Sequence, residues 1–191
     1  SDTLREKLIE HKGEKQNEPW SILAISLGGM VALDWCSRYP NDFTNLVTIN
    51  SSSKESASLF QRISPLAIKT ILRIGLTKNL YLREREILKL TTNTLEINED
   101  TCKRWEEISK QRPLKYDTFI KQLYCAARFN APNEIPIPYT AITSKEDRFT
   151  SYICSKNLAK RYNGNLIIHP SAGHDLPLDD AKWLITQILN L

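Results

Sequence analysis

WSILAISLGGMVALDWCSRYP, from Trp20 to Pro40, is the stretch on which the fold turns. It runs apolar through WSILAI, meets a serine set among small residues, and then becomes amphipathic. The apolar run has the length of a strand buried on both faces of a parallel sheet. From Leu27 the spacing predicts a helix that offers Met30, Val31, Leu33 and Trp35 for packing and stops before Pro40. Ser26 therefore stands at the junction of strand and helix. A turn that tight forces the serine into strained backbone and lifts its hydroxyl toward solvent. The strain requires small residues two positions away, which Ala24 and Gly28 supply, while Gly29 lets the helix approach the sheet closely. The Leu27 N–H, at the helix N-terminus, then points to where a negative oxygen can develop. This pattern suits a nucleophile; the competing reading is a serine that caps the helix.

Outward from this junction, Asp2 to His11 reads as a short helix with Leu4, Leu8 and Ile9 on one face, ended by Lys12-Gly13. NLVTIN (Asn45 to Asn50) is the next strand, closed by Ser51-Ser52-Ser53. Residues 54–131 change character: apolar residues recur every three or four positions, and no strand interrupts them. This predicts a helical insert, broken near Pro65, Gly75 and Pro113. Strand character returns at IPYTAIT (Ile137 to Thr143), followed by a helix near Tyr152 to Tyr162. The strand NLIIHP (Asn165 to Pro170) and a helix from Asp179 to Leu191 close the chain. Strand and helix alternate on both sides of the insert, the signature of an α/β fold with a mostly parallel sheet flanked by helices. The expected division is a core of 1–53 and 132–191, with 54–131 inserted.

The 191 residues suffice for one domain with a core, and 41% hydrophobic with 25% charged residues is ordinary globular composition. No apolar run approaches the roughly 18 to 20 residues of a membrane span. SDTLREKLIEHKGEK has none of the apolar character of a secretory leader. Cys36, Cys102, Cys125 and Cys154 are widely spaced, form no CxxC pair, and read as reduced, buried thiols of a cytoplasmic protein. Residues 60–130 hold 14 Lys and Arg against 8 Asp and Glu, whereas the remainder holds 12 against 14. The charges of the insert alternate in sign at helical spacing, which reads as a solvated surface rather than a nucleic-acid site. No HExxH, Walker loop or GxGxxG is present, so no metal and no cofactor are expected.

A serine nucleophile needs a base, and the base needs an orienting acid. Of the three histidines, His11 ends the first helix and His169 lies within a strand. His174 sits in PSAGHDLPLDD, a loop after a strand C-terminus, where open parallel sheets place their sites. It is the candidate base. TSKEDRFTS, after the preceding strand, offers Asp147 as the acid, with Glu146 as the alternative. Asp175 adjoins the histidine in sequence, and Asp179-Asp180 suit capping of the last helix.

These motifs together resemble the α/β-hydrolase superfamily, in particular its small bacterial esterase-like members with a helical lid. ISLGGMVALDWCSRYP is similar to the nucleophile elbow and following helix of that family, SKEDRFTS to its acid loop and SAGHDLPLDD to its histidine loop. The order Ser, Asp, His is the family's order. The resemblance implies Ser26 as nucleophile, Asp147 as orienting acid, His174 as base and the Leu27 amide as an oxyanion donor, with 54–131 as the lid. Ala24 stands where the family usually has glycine. A larger departure is that only 19 residues precede Trp20, where the family has some 70 to 100. The sequence thus resembles the C-terminal part of the fold, without four strands and the loop that supplies the second oxyanion N–H. It leaves Trp20 to Ile25 as an apolar sheet edge open to self-association. A piece of a longer enzyme is the favoured expectation, against a first half supplied by another chain and against a degenerate short protein.

The implied activity is a serine hydrolase acting on a small-molecule carboxylic ester or thioester, its acyl pocket lined by Leu59, Phe60, Leu72 and Phe119 of the insert. The basic insert raises the further expectation of a carrier-bound acyl group. Acyl transfer would use the same residues, and a non-catalytic interaction protein is the alternative from another class.

Overall fold

Four short apolar runs form four parallel strands, in spatial order β1-β2-β3-β4. They are β1 (Ser21–Ile25), β2 (Asn45–Ile49), β3 (Tyr139–Ser144) and β4 (Asn165–His169). The computed structural model describes residues 2–13, 18–113 and 115–191. The helices are α1 (Asp2–Lys12), α2 (Leu27–Arg38), α3 (Leu59–Arg62), α4 (Pro65–Leu76), α5 (Leu80–Thr91), α6 (Glu99–Gln111), α7 (Tyr116–Arg128), α8 (Tyr152–Arg161), α9 (Leu176–Asp179) and α10 (Ala181–Leu189).

Successive strand residues face opposite sides of a sheet, and the core divides on that period. Leu46 and Ala141 face one layer, where Ala32, Leu33, Trp35 and Cys36 of α2 meet Leu158 and Ala159 of α8. Val47, Ile49 and Ile142 face the other, against Ala172, Leu176 and Leu184. Parallel strands added in one direction with crossovers of one hand place their helices on one face, which is why α2 and α8 share a layer. The register pairs Leu23 with Val47 and Ile25 with Ile49, and Val47 with Thr140 and Ile49 with Ile142. The carboxyl ends of all four strands consequently open at one edge of the sheet. Leu33, Leu46 and Ile142 are wholly buried, and truncating any of them to alanine costs about 2–5 kcal/mol.

Several expectations need correction. β1 is not buried on both faces: Leu23 is 48% exposed and, among the described residues, the strand pairs only with β2. On α1, Leu8 packs against the core, but Leu4 and Ile9 stay exposed. That helix is fastened by polar contacts instead, with Arg5 Nε and Nη2 donating to the Asp42 carboxylate at 2.6 and 3.0 Å and Lys12 Nζ to the Asp42 carbonyl at 2.8 Å. Gly75 lies inside α4, and the break falls at 77–79, where the Asn79 side chain caps α5 by accepting from Leu82 N. A further break, over 92–98, was not expected. The last helix is split: Asp180 Oδ1 caps α10 at 3.0 Å from Trp183 N, while Asp179 does something else, described below. Cys36, Cys102 and Cys154 are buried free thiols, whereas Cys125 is exposed.

Helices α3 to α7 all lie between β2 and β3, with no strand among the described residues of that stretch. Their surface carries matched charges, including Arg73–Glu86, Lys103–Glu99, Lys110–Glu106 and Lys121–Asp117. No helix of the described residues is long and apolar enough to cross a membrane.

Candidate active site

Ser26 follows β1 directly and precedes α2, with φ 51° and ψ −118°. A non-glycine residue at positive φ is strained by contact of its Cβ with the neighbouring backbone, so the surroundings have to hold it. The Ser26 N–H donates to Ile49 O at 2.8 Å, and its carbonyl accepts from Ser51 Oγ at 2.9 Å and Gly29 N at 3.0 Å. Its side chain makes no capping hydrogen bond to α2, which removes the helix-cap reading. Of the two expected steric roles, the close approach at Gly29 is tight and the one at Gly28 is not. A Cβ at Gly28 would meet only Ala24 Cβ, at 3.9 Å, whereas one at Gly29 would lie 2.5 Å from Ser51 Oγ and 2.7 Å from Ser51 Cβ.

The hydroxyl of Ser26 lies 2.9 Å from His174 Nε2, and His174 Nδ1 lies 2.7 Å from Asp147 Oδ2. An ionised carboxylate only accepts, so Nδ1 carries the proton and Nε2 offers its lone pair to the serine hydroxyl. Asp147 Oδ1 accepts from the backbone N–H groups of Phe149 and Thr150 at 2.7 and 3.0 Å. The Asp147 carboxylate is almost wholly buried, and the Phe149 ring stacks on the imidazole with centroids 4.8 Å apart. Glu146 is exposed and offers only its backbone carbonyl, to Asn93 Nδ2. His169 is a buried strand residue whose Nδ1 accepts from Ser171 and Ala172 N–H. His11 is exposed on α1. The Leu27 N–H opens α2, where the first amides lack an intrahelical acceptor.

Two residues to which the sequence reading gave no part in the site hold this arrangement together. Asn50, at φ 47° and 1% exposed, follows β2. Its Nδ2 donates to His174 O at 2.8 Å, Gly173 O at 3.3 Å and Ser144 Oγ at 3.2 Å. Its Oδ1 accepts from Ser144 N at 2.8 Å and Thr143 Oγ1 at 3.1 Å. One amide thus ties the end of β3 to the histidine loop. The second is Asp179, whose carboxylate gathers backbone N–H groups from Gly173 at 2.6 Å, Asn93 at 2.8 Å, Thr94 at 2.9 Å and Leu95 at 3.1 Å. Burial raises its pKa, but these donors outweigh it and hold the carboxyl below the ordinary range. The segment 91–95 also binds both site loops: Thr91 O accepts from Asp175 N at 2.7 Å, and Asn93 Nδ2 donates to Glu146 O and Ser171 O at 3.0 Å. The Asp175 carboxyl is pushed up by burial.

Ser26 opens on a cavity of about 400 Å³. Leu59, Leu72 and Phe119 line it, together with Met30, Ile68 and Leu123. Phe60 does not; it is 67% exposed. Among the described residues, no cluster of side chains could hold a metal ion.

Comparison with known proteins bears on the family and the fold. The family model for serine aminopeptidase, S33, matches residues 2–181. A homoserine O-acetyltransferase of Methanococcus vannielii is 43% identical over 54 residues, which are 28% of this chain and 11% of that protein. A candidate lipase from Acinetobacter baumannii AYE superposes with a TM-score of 0.76 at 20% identity, over 99% of this chain and 66% of that one. A meta-cleavage product hydrolase from Pseudomonas fluorescens IP01 does so with a TM-score of 0.74 at 15% identity, over 96% and 68%. At such identities these structures share the fold, and this chain spans only part of each.

Proposed function

Because this chain belongs to the serine aminopeptidase S33 family of α/β-hydrolases, we propose that it is a serine hydrolase cleaving a carboxylic ester or thioester. The observation that carries the reading is the unbroken line Ser26–His174–Asp147, at 2.9 and 2.7 Å, opening on an apolar cavity. In the proposed reaction Ser26 Oγ attacks the acyl carbonyl carbon while its proton passes to His174 Nε2. Asp147 holds the Nδ1–H and stabilises the imidazolium. The Leu27 N–H donates to the oxygen that becomes negative. Collapse of the tetrahedral intermediate breaks the bond to the alcohol or thiol, which leaves with the proton from Nε2. Water then attacks the acyl-enzyme, giving up its proton to His174; the acyl bond to Ser26 Oγ breaks, Oγ takes the proton back from Nε2, and the acid departs. Helices α3 to α7 act as the lid and supply the acyl pocket through Leu59, Leu72 and Phe119.

The test is labelling with a fluorophosphonate probe followed by peptide mapping, with p-nitrophenyl ester turnover in parallel. Modification of Ser26 that disappears in Ser26→Ala and His174→Ala supports the reading. Folded, unlabelled protein would sink it and favour a non-catalytic interaction protein. One finding favours a second outcome at the same acyl-enzyme, namely transfer to an alcohol rather than to water: the matched segment of an O-acetyltransferase. Ester product formed on adding an alcohol such as homoserine would identify it. A carrier-bound acyl group is a narrower version of the same reading, tested by turnover on an acidic carrier that falls steeply with added salt. Self-association through the open β1 edge would show as a sedimentation coefficient that rises with concentration and returns to the monomer value on Leu23→Lys.

A further inference from the structure

The cavity beside Ser26 contains one cation. Arg62, the last residue of α3, lines it and is only 7% exposed. Its Nη1 donates to Ala127 O at 3.0 Å and its Nη2 to Ala126 O at 2.5 Å, both near the C-terminal end of α7. Its Nε is buried and finds no acceptor. Burial lowers the pKa of the guanidinium, and the carboxylate that opposes this is Glu55, already engaged with Ala131 N at 2.9 Å. A guanidinium has five N–H donors and remains charged in proteins. Two carbonyls at the negative, C-terminal end of α7 answer two of those donors, and among the described residues no carboxylate forms an ion pair with the guanidinium. A buried charge with donors left unanswered is costly to a fold. Its position in a largely apolar wall, sharing one cavity with the serine, therefore points to a partner that arrives with the substrate.

We propose that the acyl group taken by this cavity bears a carboxylate, which the Arg62 guanidinium binds. The substrate class is thus a monoester or monothioester of a dicarboxylic acid. The inference rests on the reading of Ser26 as nucleophile for its chemistry, but not for the binding of the anion. A charged hydrogen bond to a preformed guanidinium is stronger than a neutral one, and Arg presents a planar fork that fits a carboxylate. The same charge repels an α-ammonium group, so a peptide with a free N-terminus is a poor occupant despite the name of the family.

The test has two arms. In the first, kcat/KM is measured for the p-nitrophenyl monoester of glutaric acid and for p-nitrophenyl pentanoate, in the unaltered chain and in Arg62→Gln. The ratio of anionic to neutral ester should fall by about tenfold or more in the variant, the size expected of a hydrogen bond to a charged group. A ratio unchanged within twofold would overturn the proposal. In the second arm, which needs neither turnover nor the Arg62 variant, glutarate and glutaramide are titrated by calorimetry into the Ser26→Ala protein. Glutarate should bind at least about tenfold more tightly; equal affinities, or no binding of either, would overturn the proposal. Absence of fluorophosphonate labelling at Ser26 would defeat the hydrolase reading alone, leaving the calorimetric result to decide the anion site.

Discussion

Gly28 and Gly29 are neighbours, yet they should respond very differently to one added methyl group. In Gly29→Ala the new Cβ would stand 2.5 Å from Ser51 Oγ and 2.7 Å from Ser51 Cβ, with Thr48 Cβ at 3.4 Å behind them. Ser51 is buried and cannot swing into solvent. Its retreat breaks the 2.9 Å bond from Ser51 Oγ to Ser26 O, one of the bonds that keep Ser26 at positive φ. Overpacking costs about 1–3 kcal/mol, and a lost hydrogen bond about 0.5–1.5 kcal/mol. Together they predict a loss of about 2–4 kcal/mol. In a domain of this size that lowers the melting temperature by roughly 4–16 °C. In Gly28→Ala the Cβ meets only Ala24 Cβ at ordinary distance, on an exposed face. The stability should stay within about 0.5 kcal/mol of the unaltered chain. Urea denaturation followed by circular dichroism measures both. Equal losses in the two variants would refute the claim that contact with Ser51, rather than the turn at Ala24, sets the need for glycine here.

Asp179→Ala should destabilise the chain and speed hydrogen exchange at Asn93, Thr94, Leu95 and Gly173, whose amides its carboxylate accepts; unchanged exchange there would refute the clamp. Because those donors hold the Asp179 carboxyl below its ordinary value, its contribution is fully present above about pH 4 and is lost as pH falls through the lower folded value. The same exchange measurement below about pH 4 should therefore show these amides loosening in the unaltered chain, and no such acid-dependent step in Asp179→Ala. Asn50→Asp keeps the shape but sets an oxygen against the carbonyls of Gly173 and His174; we expect a loss of about 3 kcal/mol in urea denaturation and a lower kcat with little change in KM. Phe119→Ala should shift the preferred acyl chain of neutral p-nitrophenyl esters to greater length, whereas Phe60→Ala should leave it unchanged, since only Phe119 lines the cavity.

Ser26, His174 and Asp147 were legible because each carries its signal locally, in a serine between a strand and a helix or an acid or imidazole in a loop at a strand end. The alternation of strand and helix likewise predicts the parallel sheet. Asn50 and Asp179 were not legible, since their partners lie far along the chain: Asn50 reaches His174 across 124 positions and Asp179 reaches Asn93 across 86. No window of sequence contains such a pair, and Asp179 instead reads as a cap. Asn50 did carry one hint, being the kind of non-glycine residue that tolerates positive φ. The apolar faces of α1 and β1 misled for a different reason. Periodicity reports which side of an element is oily, not whether another layer covers it, and Leu4, Ile9 and Leu23 remain open. Phe60 shows the same limit, for hydrophobicity alone does not give a side chain its direction.

The attachment of 91–95 has a mechanical consequence for the helices above the cavity. That segment is pinned to Asp179 on one side and to the backbone of Glu146 and Ser171 on the other. It lies at the junction of α5 and α6, in the middle of the insert. The insert is therefore not a flap hung only from its two ends but a lever resting on a fulcrum, and the fulcrum is built from the loops that carry Asp147 and His174. The end of α3 and the start of α4 are tied to the acid loop as well, with Ser64 N donating to Phe149 O at 2.9 Å and Ser151 N to Gln61 O at 2.8 Å. A force that lifts the pivot itself would pull the acid and the imidazole out of line with Ser26, so opening the insert at that point and keeping the hydrogen-bonded line intact are mutually exclusive.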